Sequence, residues 1–157
     1  MVRYSKEEEM YPDIINNLKF YFNLYGYENE IFETWHKFDS KLMAKYRREI
    51  DVLGFIGRPD IMAIYKKGNE EKTLIIEVKK TDISLLNIAQ AKMYGDIFNT
   101  DKVFLVGPYD LRNVIKDYYT YNTSIFRYGD NREIKYVRLE DKKLLFQSAF
   151  PVGGDML

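Results

Sequence analysis

The chain has 157 residues, 46% of them hydrophobic and 16% aromatic, which suits one globular domain with a full core rather than a disordered segment. Cysteine is absent, which excludes disulfides, thiolate zinc sites, iron–sulfur clusters and a cysteine nucleophile, and the single histidine, His36, cannot alone build a histidine metal site or a triad. Lysine plus arginine (24) equals aspartate plus glutamate (24), so any nucleic-acid partner would be met by a local patch rather than by the whole surface.

The N-terminus, "MVRYSKEEEMYPD", lacks the apolar core of a signal peptide, and no apolar run reaches the length of a membrane span. The expectation is a cytoplasmic protein, not secreted and without a membrane partner. No repeat, linker or low-complexity tract divides the chain, so residues 1–157 read as one domain.

Ser5 and Glu8 have the spacing of a capping box. Tyr11, Ile14, Ile15, Leu18, Phe22 and Tyr25 then form one apolar stripe at helical spacing, with Pro12 delaying or kinking the start and Gly26 a plausible stop. Residues 28 to 47 are ambiguous, with helix favoured for "SKLMAKYRR". "EIDVLGFIG", "DIMAIYKK" and "TLIIEVKK" read as three successive strands with short turns. Asp82 is placed to cap a helix over about Ile83 to Phe98. "KVFLVG" is a further buried strand, Asp110 opens a helix to about Tyr119, and "EIKYVRL" and "LLFQSAF" flank "EDKK" as a late hairpin. The order helix, three strands, helix, strand indicates a mixed α/β sheet.

Within "TLIIEVKK", Glu77 and Lys79 interrupt an apolar strand, where an unpaired charge is costly. Side chains alternate across a strand, so both project from the face that carries Ile75, about 7 Å apart along the strand. Gly68-Asn69 is a two-residue hairpin signal. With those two as the loop, Lys67 pairs with Glu70, and Asp60 falls opposite Glu77. Directly opposed residues have Cβ atoms about 5 Å apart, so the two carboxylates repel unless one is protonated or a cation lies between them. Hard oxygen ligands beside a lysine suit magnesium or manganese better than zinc. Asp51 is a rival. With Gly57-Arg58 as the preceding turn it pairs near Ile64, about 13 Å from Asp60 along the strand. Asp60 is preferred, although a bulge or longer loop would alter the count.

The segment "RPDIMAIYKKGNEEKTLIIEVKK" resembles the signature of the PD-(D/E)XK nuclease superfamily. Pro59-Asp60 stands for the PD pair and Glu77-Val78-Lys79 for the (D/E)XK triplet. "AQAKMYGD" resembles the glutamine-and-tyrosine helix of many members, with Gln90 and Tyr94 in the matching places. The resemblance spans roughly Glu7 to Gly107. It implies a restriction-endonuclease-like core of helix, three antiparallel strands, helix and strand, extended here by a C-terminal helix and hairpin. The compact, cysteine-free chain is also similar to the small nucleases of archaeal filamentous viruses, which would place it in the host cytoplasm.

The resemblance implies that Asp60, Glu77 and the backbone carbonyl of Val78 hold one or two Mg2+ ions, with Mn2+ as substitute. The ion would polarise the scissile phosphate and lower the pKa of a bound water. Lys79 would orient that water and offset charge on the phosphate. The implied products are a 5′-phosphate and a 3′-hydroxyl. The plainer reading of the trio is a structural ion-pair cluster. Gln90 either orients the site or bonds a strand carbonyl, sharing an inward stripe with Leu86, Ala89, Met93 and Ile97. Tyr94 reads as packing. Glu7 shares the buried phase of the first helix, where some members carry a metal-orienting glutamate; a solvated acidic helix start is the commoner explanation.

In "KLMAKYRR", Lys41, Lys45 and Arg48 fall on one helix face with Arg47 adjoining, the best local candidate for phosphate contact. A solvated face is the ordinary role of such a run. Trp35 and His36 read as packing residues, and the tyrosines of "DYYTYN" as packing before base stacking. The expected function is a magnesium-dependent endonuclease on double-stranded DNA, monomeric or homodimeric. The alternatives are a Holliday-junction resolvase, an inactive nucleic-acid-binding or virion-associated protein on the same scaffold, and a small interaction module with a structural polar pocket.

Overall fold

The computed structural model describes residues 2–34, 40–54 and 57–157, without the side chains of Ser40, Lys41 and Met43. Trp35 and His36, expected to pack, lie outside the described residues.

A 3-10 turn, Glu7–Met10, leads into α1, Tyr11–Leu24. Pro12 sits at the first turn of α1, where its missing N–H costs nothing. Ser5 does close back on an acid, but on Glu9 rather than Glu8: its N–H and Oγ donate to the Glu9 carboxylate at 2.8 and 2.6 Å. The turn is capped at Lys6 rather than Ser5, which brings Glu9 instead of Glu8 within reach of Ser5. Tyr11, Ile14, Leu18 and Phe22 are the buried stripe, while Tyr25 points outward. Gly26, at φ 77°, ends the helix, and the Tyr27 N–H donates to the Phe22 carbonyl at 2.8 Å.

The chain then forms β1 (Glu28–Glu33), α2 (Ser40–Leu53), β2 (Ile61–Lys67), β3 (Glu70–Val78), α3 (Leu85–Phe98), β4 (Lys102–Gly107) and α4 (Asn113–Tyr121). Two residues of β5 (Arg127–Tyr128), the long β6 (Arg132–Glu140) and two residues of β7 (Lys143–Leu144) complete it. The result is a mixed α/β fold around a seven-stranded sheet in the order β1-β2-β3-β4-β6-β5, with β7 on β6. β2 pairs antiparallel with β1 on one side and β3 on the other, whereas β4 runs parallel to β3 and β6 parallel to β4.

One strand expectation is overturned. Residues 49–53 of "EIDVLGFIG" are the end of α2, and the third antiparallel strand is instead the edge strand β1. Leu42, Tyr46, Ile50 and Leu53 recur at helical spacing and pack against α3 and the sheet, so a 3.6-residue period wins over the local β-branched pattern. β1 is hard to see in the sequence because three of its six residues are glutamates, as suits an exposed sheet edge. Helix α3 is capped by Ser84 rather than Asp82. Ser84 Oγ accepts the Asn87 N–H at 3.2 Å, and the Asn87 side chain accepts the Ser84 N–H at 2.9 Å. Helix α4 likewise begins at Asn113, later than Asp110, and the late hairpin is short on its second side.

The sheet separates two cores. α1 packs on one face over Ile61, Tyr65, Leu74, Ile76 and Phe104. The helices α2, α3 and α4 cover the other, over Met62, Ile75, Val103, Leu105 and Ile134. Gly95 lets α3 lie close to the sheet: a Cβ there would stand 2.6 Å from the Tyr128 ring and 2.9 Å from Val103. The buried stripe of α3 is Ile88, Ala91, Tyr94 and Phe98, not the expected Leu86–Ala89–Met93–Ile97. Leu86 is 77% exposed. Among the described residues, no helix is long and apolar enough to cross a membrane.

Candidate active site

The β2–β3 hairpin turns at Gly68-Asn69, with Gly68 at φ 62°, and pairs Lys67 with Glu70 and Ile61 with Ile76. Asp60, one residue before β2, therefore stands beside Glu77. Odd-numbered positions of β3 face α3, as Ile75 does, so Glu77 enters the sheet face under that helix. Lys79 follows the strand and keeps the parallel ladder going, its N–H donating to the Val106 carbonyl at 2.9 Å.

Asp60 is 6% exposed and Glu77 2%. The two oxygens of Asp60 accept different donors: the Tyr11 hydroxyl at 2.7 Å on Oδ1 and the Val78 backbone N–H at 2.7 Å on Oδ2. Glu77 Oε1 accepts from Lys79 Nζ at 2.8 Å. Among the described residues, Glu77 Oε2 is buried and without a hydrogen-bond partner. A buried carboxylate oxygen with no donor is costly in a purely structural cluster and ordinary in one shaped to meet a cation.

These groups open into a cleft of about 350 Å³ lined also by Glu7, Glu8, Tyr11, Gly57, Arg58, Gln90 and Tyr94. Burial, then the neighbouring Asp60 charge, pushes the Glu77 carboxyl up to about 8, against the pull of Lys79. Burial also raises Asp60, while its bonds from Tyr11 and Val78 work the other way. Burial alone would lower Lys79, but the charge of and bond to Glu77, joined by Glu7 and Asp60, together outweigh it and hold the ammonium above its usual value. The pocket thus carries crowded negative charge that its lysine does not fully relieve.

Asp60 and Glu77 meet as the hairpin count requires, and Lys79 and Gln90 line the same cleft. Val78 takes part through its N–H, which positions Asp60. Among the described residues Gln90 bonds no strand carbonyl; its Nε2 donates to the Tyr94 hydroxyl at 3.1 Å. Tyr94 is buried in the core yet reaches the cleft, so packing and site membership coincide. Glu7 lines the cleft as well, and its charge contributes to the upward shifts of Asp60 and Glu77. Among the described residues no three acidic or imidazole side chains stand close enough to share one ion. A site of two carboxylates, completed by backbone and water, suits magnesium, which keeps several waters.

Asp51 lies exposed on α2 and is not among the cleft residues. Lys45 pairs with Glu71. Glu71 sits six positions before Glu77 on β3, so this contact is about 20 Å from the acids along the strand. Arg47 and Arg48 are exposed on α2, and the Lys41 side chain lies outside the described residues. Replacing Lys41, Lys45 and Arg48 with alanine tests whether this helix meets phosphates. DNA affinity should fall and the log–log salt slope should flatten by about one unit per lost contact. A slope equal to wild type returns the helix to a solvated face.

Two cleft residues are not legible as such in the sequence. Tyr11 stands out there only for its apolar ring, and nothing in the stripe distinguishes a tyrosine that bonds a carboxylate from one that packs. Arg58 adjoins Pro59-Asp60 and brings a second cation to the cleft. Its position next to Asp60 is the available signal.

No protein-family model, curated protein or solved structure matches this chain at a significant level.

Proposed function

We propose that the chain is a metal-dependent deoxyribonuclease that hydrolyses phosphodiester bonds as an endonuclease on double-stranded DNA. The observation that carries this reading is the opposed pair Asp60 and Glu77, with Lys79 on Glu77 and the partnerless Glu77 Oε2 in the same buried cluster. The restriction-endonuclease-like arrangement implied by the PD-(D/E)XK resemblance is part of the proposal.

Asp60 and Glu77, with the Val78 backbone, are the groups that would hold Mg2+, or Mn2+ in its place. When bound, the ion supplies charge neutralisation at the scissile phosphate and an acidified water. Glu77 would have to give up its proton to serve as a ligand, which the buried site otherwise resists. Lys79, once Glu77 is engaged elsewhere, can turn its ammonium to the attacking water and to charge building on the phosphate. Gln90, held by Tyr94, offers an amide at the cleft wall. Arg58 supplies a cation to a wall that also carries the acidic Glu7 and Glu8.

The test is cleavage of linear, circular and branched DNA with Mg2+ and with EDTA. Nicking or linearisation of circular duplex with Mg2+, abolished by EDTA and by Asp60→Asn, is expected. Preferential cutting of the branched substrate would instead favour junction resolution. Binding of DNA without cleavage of any substrate would leave a nucleic-acid-binding protein on this scaffold.

A further inference from the structure

The hydroxyl of Tyr11 makes a buried polar contact at the cleft that the proposed chemistry leaves without a task. We propose that Tyr11 is a positioning residue that orients Asp60 to receive a divalent cation, an inference that rests on the nuclease reading of the site.

An aspartate carboxylate turns readily about its last torsion, whose preference is broad and roughly two-fold. One hydrogen bond leaves that rotation open. Asp60 has two, on different oxygens and from different parts of the fold: Tyr11 from the start of α1 at 2.7 Å and the Val78 N–H from β3 at 2.7 Å. Together they fix the plane of the carboxylate relative to the strand that carries Glu77. Each ionised oxygen has two acceptor positions, so one on each remains for a ligand.

The ring is held firmly enough for this task. Tyr11 is buried and continues the stripe of Ile14, Leu18 and Phe22 that packs α1 on the sheet. That packing needs only an aromatic ring, which phenylalanine would also supply. The hydroxyl adds nothing to the apolar contact and reaches the carboxylate that lies beside Glu77. Partners of metal ligands orient them in this way, and losing one typically costs about 10- to 100-fold in metal affinity.

The experiment compares wild type, Tyr11→Phe and Asp60→Asn. Mn2+ affinity is measured by calorimetry and by the paramagnetic resonance of free Mn2+. Melting in EDTA and the dependence of cleavage on Mn2+ concentration complete the comparison. Tyr11→Phe should bind Mn2+ about 10- to 100-fold more weakly than wild type. Its cleavage deficit should shrink as Mn2+ is raised, because the defect lies in metal occupancy. Tyr11→Phe that binds Mn2+ like wild type, whether or not it melts lower, overturns the role of Tyr11 and leaves the site reading standing. Wild type that binds no Mn2+, or binds it no better than Asp60→Asn, overturns the site reading and this inference with it.

Discussion

Glu77→Gln and Lys79→Ala should each cleave linear duplex DNA at least ~100-fold more slowly than wild type, a barrier rise of about 3 kcal/mol. In the absence of metal they should melt at or above the wild-type temperature. Glu77 is buried with a partnerless oxygen beside a second carboxylate, so replacing it with the neutral amide relieves repulsion. Lys79→Ala removes the cation, and Glu77, whose buried site already favours its proton, then holds that proton more firmly, so no buried anion is left unpaired. Residues arranged for chemistry often cost stability in this way. A structural ion pair behaves oppositely, since breaking a buried one costs about 3–5 kcal/mol. Purified variants melted in EDTA and assayed with Mg2+ separate the two. A collapsed melting temperature with cleavage per folded molecule preserved would sink the nuclease reading of β3.

Metal-free wild type should lose stability steadily as pH rises from about 5 to 8. Glu77 in the folded chain holds its proton up to about pH 8, whereas the ordinary value is 4.5. Between those values the folded state binds more protons than the unfolded one, so unfolding is favoured as pH increases. The raised pKa of Asp60 acts in the same direction. A carboxyl whose pKa rises by one on folding contributes about 1.4 kcal/mol, so the expected loss is roughly 2–4 kcal/mol across the window. Glu77→Gln should flatten the slope. Adding Mg2+ should restore stability at pH 8 and do little at pH 5, because ligand carboxylates must be deprotonated to bind. Denaturant unfolding at several pH values measures this. Equal slopes for wild type and Glu77→Gln would show that Glu77 is not the group that titrates.

The parts of the fold legible in the sequence are those written in local chemistry. The Gly68-Asn69 turn sets the β2–β3 register, and from it the meeting of Asp60 with Glu77 follows by counting. The α1 stripe and the unbroken apolar run of β4 are equally plain. The rest depends on tertiary neighbours. Ile50 and Leu53 suit a strand or a helix until Leu42 and Tyr46 are seen to complete their stripe. Glu28, Glu30 and Glu33 hide β1, because an edge strand need bury little. Asp82 and Ser84 are both sound caps, and only the reciprocal bond with Asn87 selects Ser84. The bond from Tyr11 to Asp60 spans 49 positions, and no pattern in either segment announces it.

The two-residue turn also bears on the order in which the chain acquires its parts. Asp60 and Glu77 are joined by a hairpin, and elements of that kind close in about 1–10 μs without help from the rest of the chain. The parallel pairing of β3 with β4 must wait for the whole α3 crossover, and Tyr11 must be brought from 49 positions upstream of Asp60. Loop closure over such separations is what slows folding. Early in assembly the acids therefore lie side by side on an open ribbon, where water screens them. Their mutual repulsion grows only when α1 and α3 arrive and the water leaves. The burden of the site thus falls on the last steps of assembly, after the hairpin has already settled which residues will face one another.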